Sequence, residues 1–243
     1  MGVYPHHRTV PSCEGAGLAC SDSAVNKAAG HLKKGTLVSR AIVGVLSAAA
    51  LTLPLALMAS PAQAAVITGT NGDDTLYGTE APDDISGLRG DDLLAGREGA
   101  DDVFGGPGAD DVRGQRDDDF LAGNGGPDVV RGADGDDFLR GGGGADVLGG
   151  GNDADELIGN LHDDVLIGAS DADFLDPGWD EDLVEAGPGN DIVYVEIDGT
   201  ATVQSSPDFI DCGDGDDTVV SPNDELDPRD EFVNCENFVG DEA

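Results

Sequence analysis

Residues 69–113 read GTNGDDTLY (69–77), GTEAPDDIS (78–86), GLRGDDLLA (87–95), GREGADDVF (96–104) and GGPGADDVR (105–113). The nine-residue unit continues without insertion to PGWDEDLVE (177–185) and AGPGNDIVY (186–194), fourteen units in all. Its sixth place is Asp every time: Asp74, Asp83, Asp92, Asp101, Asp110, Asp119, Asp128, Asp137, Asp146, Asp155, Asp164, Asp173, Asp182 and Asp191. Its eighth place is always aliphatic, from Leu76 and Ile85 to Val184 and Val193, and its first is Gly except at Pro177 and Ala186. Low-complexity Gly/Asp sequence would not hold two positions invariant over fourteen units. The period is therefore structural.

The pattern resembles the hemolysin-type calcium-binding repeat of the RTX proteins, G-G-x-G-x-D-x-U-x with U a large aliphatic residue. The resemblance implies an all-β chain folded as a right-handed parallel β-roll, with two repeats to a coil and seven coils over residues 69–194. Six Gly/Asp-rich residues would turn the chain, and three around the eighth place would form a short strand with one side chain inward. The sixth-place aspartates would then stack into two ladders, one on each edge, and serve as the metal ligands. Carboxylates ~4.8 Å apart repel by ~1 kcal/mol even at the dielectric of water. Ca²⁺, which takes six to eight oxygens in tolerant geometry, suits the gaps between coils; Mg²⁺, which demands a tight octahedron, does not. Seven coils leave at most about twelve such gaps. Departures from the family pattern gather at the fourth place, where Ala81, Asp117, Asp153, His162, Asp171 and Asp180 replace Gly. Weaker binding is expected at those loops.

The rest of the chain frames this segment. Lys33, Lys34 and Arg40 precede a stretch, residues 41–59, without a charged side chain, and Ala62-Gln63-Ala64 follows. A basic region, an apolar run and a small-residue cleavage site predict a leader over residues 1–64 that ends in a secretory signal peptide. An N-terminal signal departs from the RTX proteins, which commonly leave the cell through a C-terminal one. Residues 65–243 hold seven arginines and no lysine among a large excess of acids, and the whole chain carries a formal net charge of -38. Such a charge repels phosphates and excludes a nucleic-acid partner. After signal cleavage no membrane association is expected.

Residues 195–243 read as a cap. The beat breaks at 195–211, a spacer, and returns one residue out of register in CGDGDDTVV (212–220), where Asp217 is a candidate for one further calcium. Phe209, Phe232 and Phe238 are expected to plug the apolar end of the roll, which a solenoid must cover. Cys212 and Cys235, the two cysteines of the exported part, most simply form one disulfide.

No catalytic motif stands out. The zinc-protease H-E-x-x-H needs two histidines, and residues 65–243 contain only His162. The hydrolase elbow G-x-S-x-G is absent, and without lysine there is no P-loop or Schiff base. The sequence thus predicts a secreted, non-enzymatic protein with Ca²⁺ as its cofactor and calcium ions as its partners. The alternative is an extracellular adhesin that uses outward aromatics such as Phe104, Phe120, Phe138 and Phe174 to hold a glycan or protein. An enzyme such as an epimerase is a third reading.

Overall fold

The nine-residue beat becomes one strand per repeat in the computed structural model, which describes residues 63–195, 207–221 and 226–240. The predicted leader, apart from its last two residues, and residues 196–206 of the spacer lie outside the described residues. Nineteen strands are described, numbered in chain order from β1 (Val66–Thr68) to β19 (Asn237–Gly240). Odd-numbered strands form a ten-stranded sheet and even-numbered ones a nine-stranded sheet, each strand pairing in parallel with the strand two ahead. The described residues are thus a parallel β-solenoid in which eighteen residues complete a coil. Leu148 pairs with Val130 behind it and Leu166 ahead, so the eighth places of one edge lie in register.

Two facing sheets close on a thin core because a strand alternates its side chains. From Ile85 to Val193 the eighth-place side chains are fully buried. Ile67, Leu76 and Phe232, near the two ends, pack against them.

Strand length differs from the sequence expectation. β5 (Asp102–Pro107) runs six residues, from the seventh place through the third place of the next repeat. Pairing persists there because the second and third places still face their counterparts, as in Gly151 opposite Ala133 and Leu161 opposite Trp179, while the first-place N–H bonds to the next coil, as from Gly87 to the Phe104 carbonyl. The first place therefore also points inward, and it must be small. A Cβ on Gly96 or Gly114 would collide with Oδ2 of Asp101 or Asp119 in its own repeat. The tight corner needs left-handed backbone at the second and fourth places, from Leu88 (φ 83°) and Gly90 (φ 121°) to Gly178 (φ 101°) and Asp180 (φ 89°). Glycine adopts that conformation at little cost, which explains its frequency there.

Past Tyr194 both sheets continue. β16 (Phe209–Asp211) joins the smaller sheet with Ile210 opposite Val184, so part of the expected spacer is a strand. β17 (Thr218–Ser221) joins the larger, with Val219 opposite Val193. β18 (Glu231–Val233) and β19 finish them, placing Phe232 and Phe238 at eighth places with their rings 5.4 Å apart and edge to face. Phe209 does not join that plug. It occupies a seventh place, and its side chain faces outward. A disulfide links Cys212 to Cys235, with Cα atoms 5.2 Å apart.

Candidate metal centre

The sixth-place aspartates sit where the turn ends and the strand begins, so each carboxylate lies against the edge of the preceding coil. Along one edge the N–H of Asp92 donates to Oδ1 of Asp110, and Asp110, Asp128, Asp146 and Asp164 repeat the bond to the carboxylate eighteen residues ahead, all at 2.8 Å. Along the other, Asp101, Asp119, Asp137, Asp155 and Asp173 make the same bond at 2.8–2.9 Å. The sequence reading brought these residues together, and the structure stacks them in two files.

The second oxygen of each carboxylate decides the chemistry. Oδ2 of Asp92, Asp101, Asp110, Asp119, Asp128, Asp137, Asp146, Asp155, Asp164, Asp173, Asp191 and Asp217 is buried and accepts no hydrogen bond. An unpartnered buried acceptor costs about 1–3 kcal/mol, and more when charged. Burial accordingly pushes Asp119, Asp155 and Asp164 up to about 8, Asp128 and Asp173 to about 7, and Asp101, Asp110, Asp137, Asp146 and Asp191 to about 6. The N–H bond from the preceding coil opposes the rise, and for Asp119 and Asp155 the carboxylates above and below reinforce it. Burial likewise raises Asp217, and Glu236 adds to it.

Backbone oxygens supply the remaining donors. A Cβ on Gly106 or Gly108 would collide with the carbonyl oxygen of Leu88 or Gly90 in the coil before. The second- and fourth-place carbonyls therefore line the space between coils. Among the described residues no three His, Cys, Asp or Glu side chains converge, so a gap offers paired carboxylates completed by these carbonyls. A donor set of oxygen alone fits a hard cation of flexible coordination, Ca²⁺ above the softer metals. First-place glycine leaves the room such an ion needs beside Oδ2.

Past the break the sequence reading placed Asp217 but missed Asp208, Asp230 and Glu236, through which the ladders run on. The N–H of Asp182 donates to Oδ1 of Asp208 at 3.0 Å, and that of Asp208 to Oδ1 of Asp230 at 3.1 Å. On the opposite edge Asp191 donates to Oδ1 of Asp217 at 2.8 Å, and Asp217 to Oε2 of Glu236 at 3.1 Å. A signal was available, since Asp208 and Ile210 precede Asp217 and Val219 by nine residues each. Asp74 and Asp83, at the other end, differ from Asp92, Asp101 and the rungs that follow them: their Oδ2 atoms accept hydrogen bonds from the backbone of Thr70 and Thr79.

No curated protein matches this chain. The model of the RTX calcium-binding nonapeptide repeat matches residues 65–85, 77–112, 113–148, 122–157, 141–175 and 149–184, in overlapping copies. The matched span covers the stacked aspartates from Asp74 to Asp182, and the ion that such repeats bind is Ca²⁺. Residues 65–184, then, are a run of RTX calcium-binding nonapeptide repeats.

Proposed function

We propose that this is a secreted, non-enzymatic calcium-binding protein that folds as calcium enters the gaps between its stacked turns. In this reading residues 1–64 are a leader, residues 65–194 the calcium-binding roll and residues 195–243 its disulfide-stapled cap. The carrying observation is the file of buried, unpartnered Oδ2 atoms that begins at Asp92 and Asp101. Asp92, Asp101, Asp110, Asp119, Asp128, Asp137, Asp146, Asp155, Asp164, Asp173, Asp182 and Asp191 are the proposed ligands. In each, Oδ1 holds the N–H of the preceding coil and Oδ2 is turned to the metal. Bound Ca²⁺ supplies the positive charge that offsets repulsion along the ladder.

Support for export comes from the composition of residues 33–64 and from the Cys212–Cys235 bridge, since disulfides persist in oxidising compartments. Support for a non-enzymatic role comes from His162. It stands on a turn at φ 78°, with Nδ1 2.9 Å from the carbonyl of Leu161. Far-UV circular dichroism during a calcium titration tests the whole reading. Strand signal should appear with calcium and vanish with EDTA; an identical spectrum in both would reject it.

A second reading, the adhesin, is favoured by a row of aromatics on the outer face of the larger sheet. The rings of Phe104 and Phe120 lie 5.6 Å apart, and those of Phe120 and Phe138 stack at 5.1 Å. Glycan-array binding at saturating calcium that is lost in Phe120→Ala and Phe138→Ala would select it. Binding unaffected by those changes would count against it.

A further inference from the structure

The first coil is built differently from those that follow. The N–H of Thr70 donates to Oδ2 of Asp74 at 2.5 Å, and the Thr70 hydroxyl is 2.9 Å from the same oxygen. That hydroxyl also lies 3.3 Å from the Gly72 carbonyl and accepts the Gly72 N–H at 3.3 Å. Thr79 repeats the arrangement one strand on. Its N–H donates to Oδ2 of Asp83 at 2.5 Å, and its hydroxyl lies 3.3 Å from Oδ1 and accepts the Ala81 N–H at 3.2 Å. The oxygen that has no partner in the later rungs is therefore occupied here by protein.

The backbone departs in step. From Leu88 to Asp180 every second and fourth place has a positive φ, and the paired left-handed residues line each gap with carbonyls. Thr70, Gly72, Thr79 and Ala81 take no positive φ. The cause lies in the side chain. A β-branched residue is a genuine outlier at positive φ, and a threonine hydroxyl readily closes a turn on the backbone two residues ahead. Thr70 and Thr79 are the only β-branched residues at the second place of the fourteen repeats.

We propose that Thr70 and Thr79 close the first coil in place of calcium, so that Asp74 and Asp83 are structural acceptors and the metal ladders start at Asp92 and Asp101. The proposal rests on the calcium reading of the later rungs. It makes the first coil a metal-independent end on which the calcium-dependent coils stack, and it removes two gaps from those the sequence allows, Asp74–Asp92 and Asp83–Asp101.

Calorimetric calcium titration of the full chain tests it with Asp74→Asn/Asp83→Asn, because an asparagine oxygen still accepts the threonine N–H. The expected result is the wild-type number of bound ions, while Asp128→Asn, in the middle of a ladder, loses ions. Loss of ions in the double variant as well would overturn the proposal. If the wild type took up no calcium, the calcium reading itself would fail instead. Should the double variant not fold, Thr70→Gly/Thr79→Gly, which restores the family's second-place glycine, is expected to bind more ions than the wild type. An unchanged count there would overturn the assignment.

Discussion

The backbone N–H of Asp119 donates to Oδ1 of Asp137 at 2.8 Å, while Oδ2 of Asp137 is buried without a hydrogen-bond partner. One oxygen is committed to joining coils, and the other is left with a desolvated negative charge. Repeated along both edges, this division of labour makes the described fold dependent on something positive.

Protons are one such source, and they give calcium-free protein a defined pH dependence. An unfolded Asp titrates near 3.9, whereas the folded ladder holds Asp119, Asp155 and Asp164 at about 8 and Asp101 and Asp110 at about 6. Between these limits the folded chain binds more protons than the unfolded one, so its stability falls as pH rises. In EDTA, strand content by circular dichroism should increase on acidification from pH ~8 to ~5. A decrease over that window would contradict the assignment of these carboxyls.

Calcium uptake should release those protons. Titrations near pH 7 in buffers of different ionisation enthalpy should give different apparent heats, with net proton release per chain. Equal heats in all buffers would show that the ladder carboxylates are already ionised in the free protein.

Asp128→Asn removes a charged oxygen shared by the gaps toward Asp110 and Asp146. At calcium tenfold above a site's dissociation constant, each lost site should lower stability by about 1.4 kcal/mol. Calorimetric stoichiometry and the thermal midpoint in calcium check this together. An unchanged ion count would exclude Asp128 as a ligand.

Two substitutions at the turns should act in opposite directions. Ala133 is held at φ 102°, so Ala133→Gly should stabilise the calcium-loaded protein by about 1 kcal/mol. Gly96→Ala puts a methyl group against Oδ2 of Asp101 and should destabilise by about 1–3 kcal/mol. Chemical denaturation at fixed calcium measures both, and a stabilising Gly96→Ala would show that the first place has room to spare.

Cys212 is fully buried in a first place, and its bridge to Cys235 ties the last coil to the one before. Cys212→Ala/Cys235→Ala should cost about 3 kcal/mol, with loss of amide protection concentrated in residues 207–240. Uniform loss of protection along the roll would mean that the bridge does more than hold the end.

Much of this was legible in the sequence because the repeat reports itself fourteen times. Asp at the sixth place and an aliphatic at the eighth placed the ladders and the core, and the two cysteines of residues 65–243 placed the bridge. What escaped notice lay where a single unit carried the message. Residues 207–211 keep only Asp208 and Ile210 of the pattern, and Glu236 reaches the ladder with a longer side chain, so neither rung is visible without its neighbours. The length of the strands was hidden for another reason. First-place glycine reads as turn, yet it pairs with the next coil and points inward beneath Oδ2. What Thr70 and Thr79 do at the second place shows only in the structure, where their amides lie against Asp74 and Asp83.

The ladder bonds all run one way, from an N–H to a carboxylate further along the chain. An edge of a coil is thus finished only when later residues have arrived, and a chain delivered N-terminus first leaves each newest turn incomplete. Glu236 is the last acceptor of the larger sheet's edge. The rod consequently has a direction of completion, and it can be sealed only after its far end has emerged.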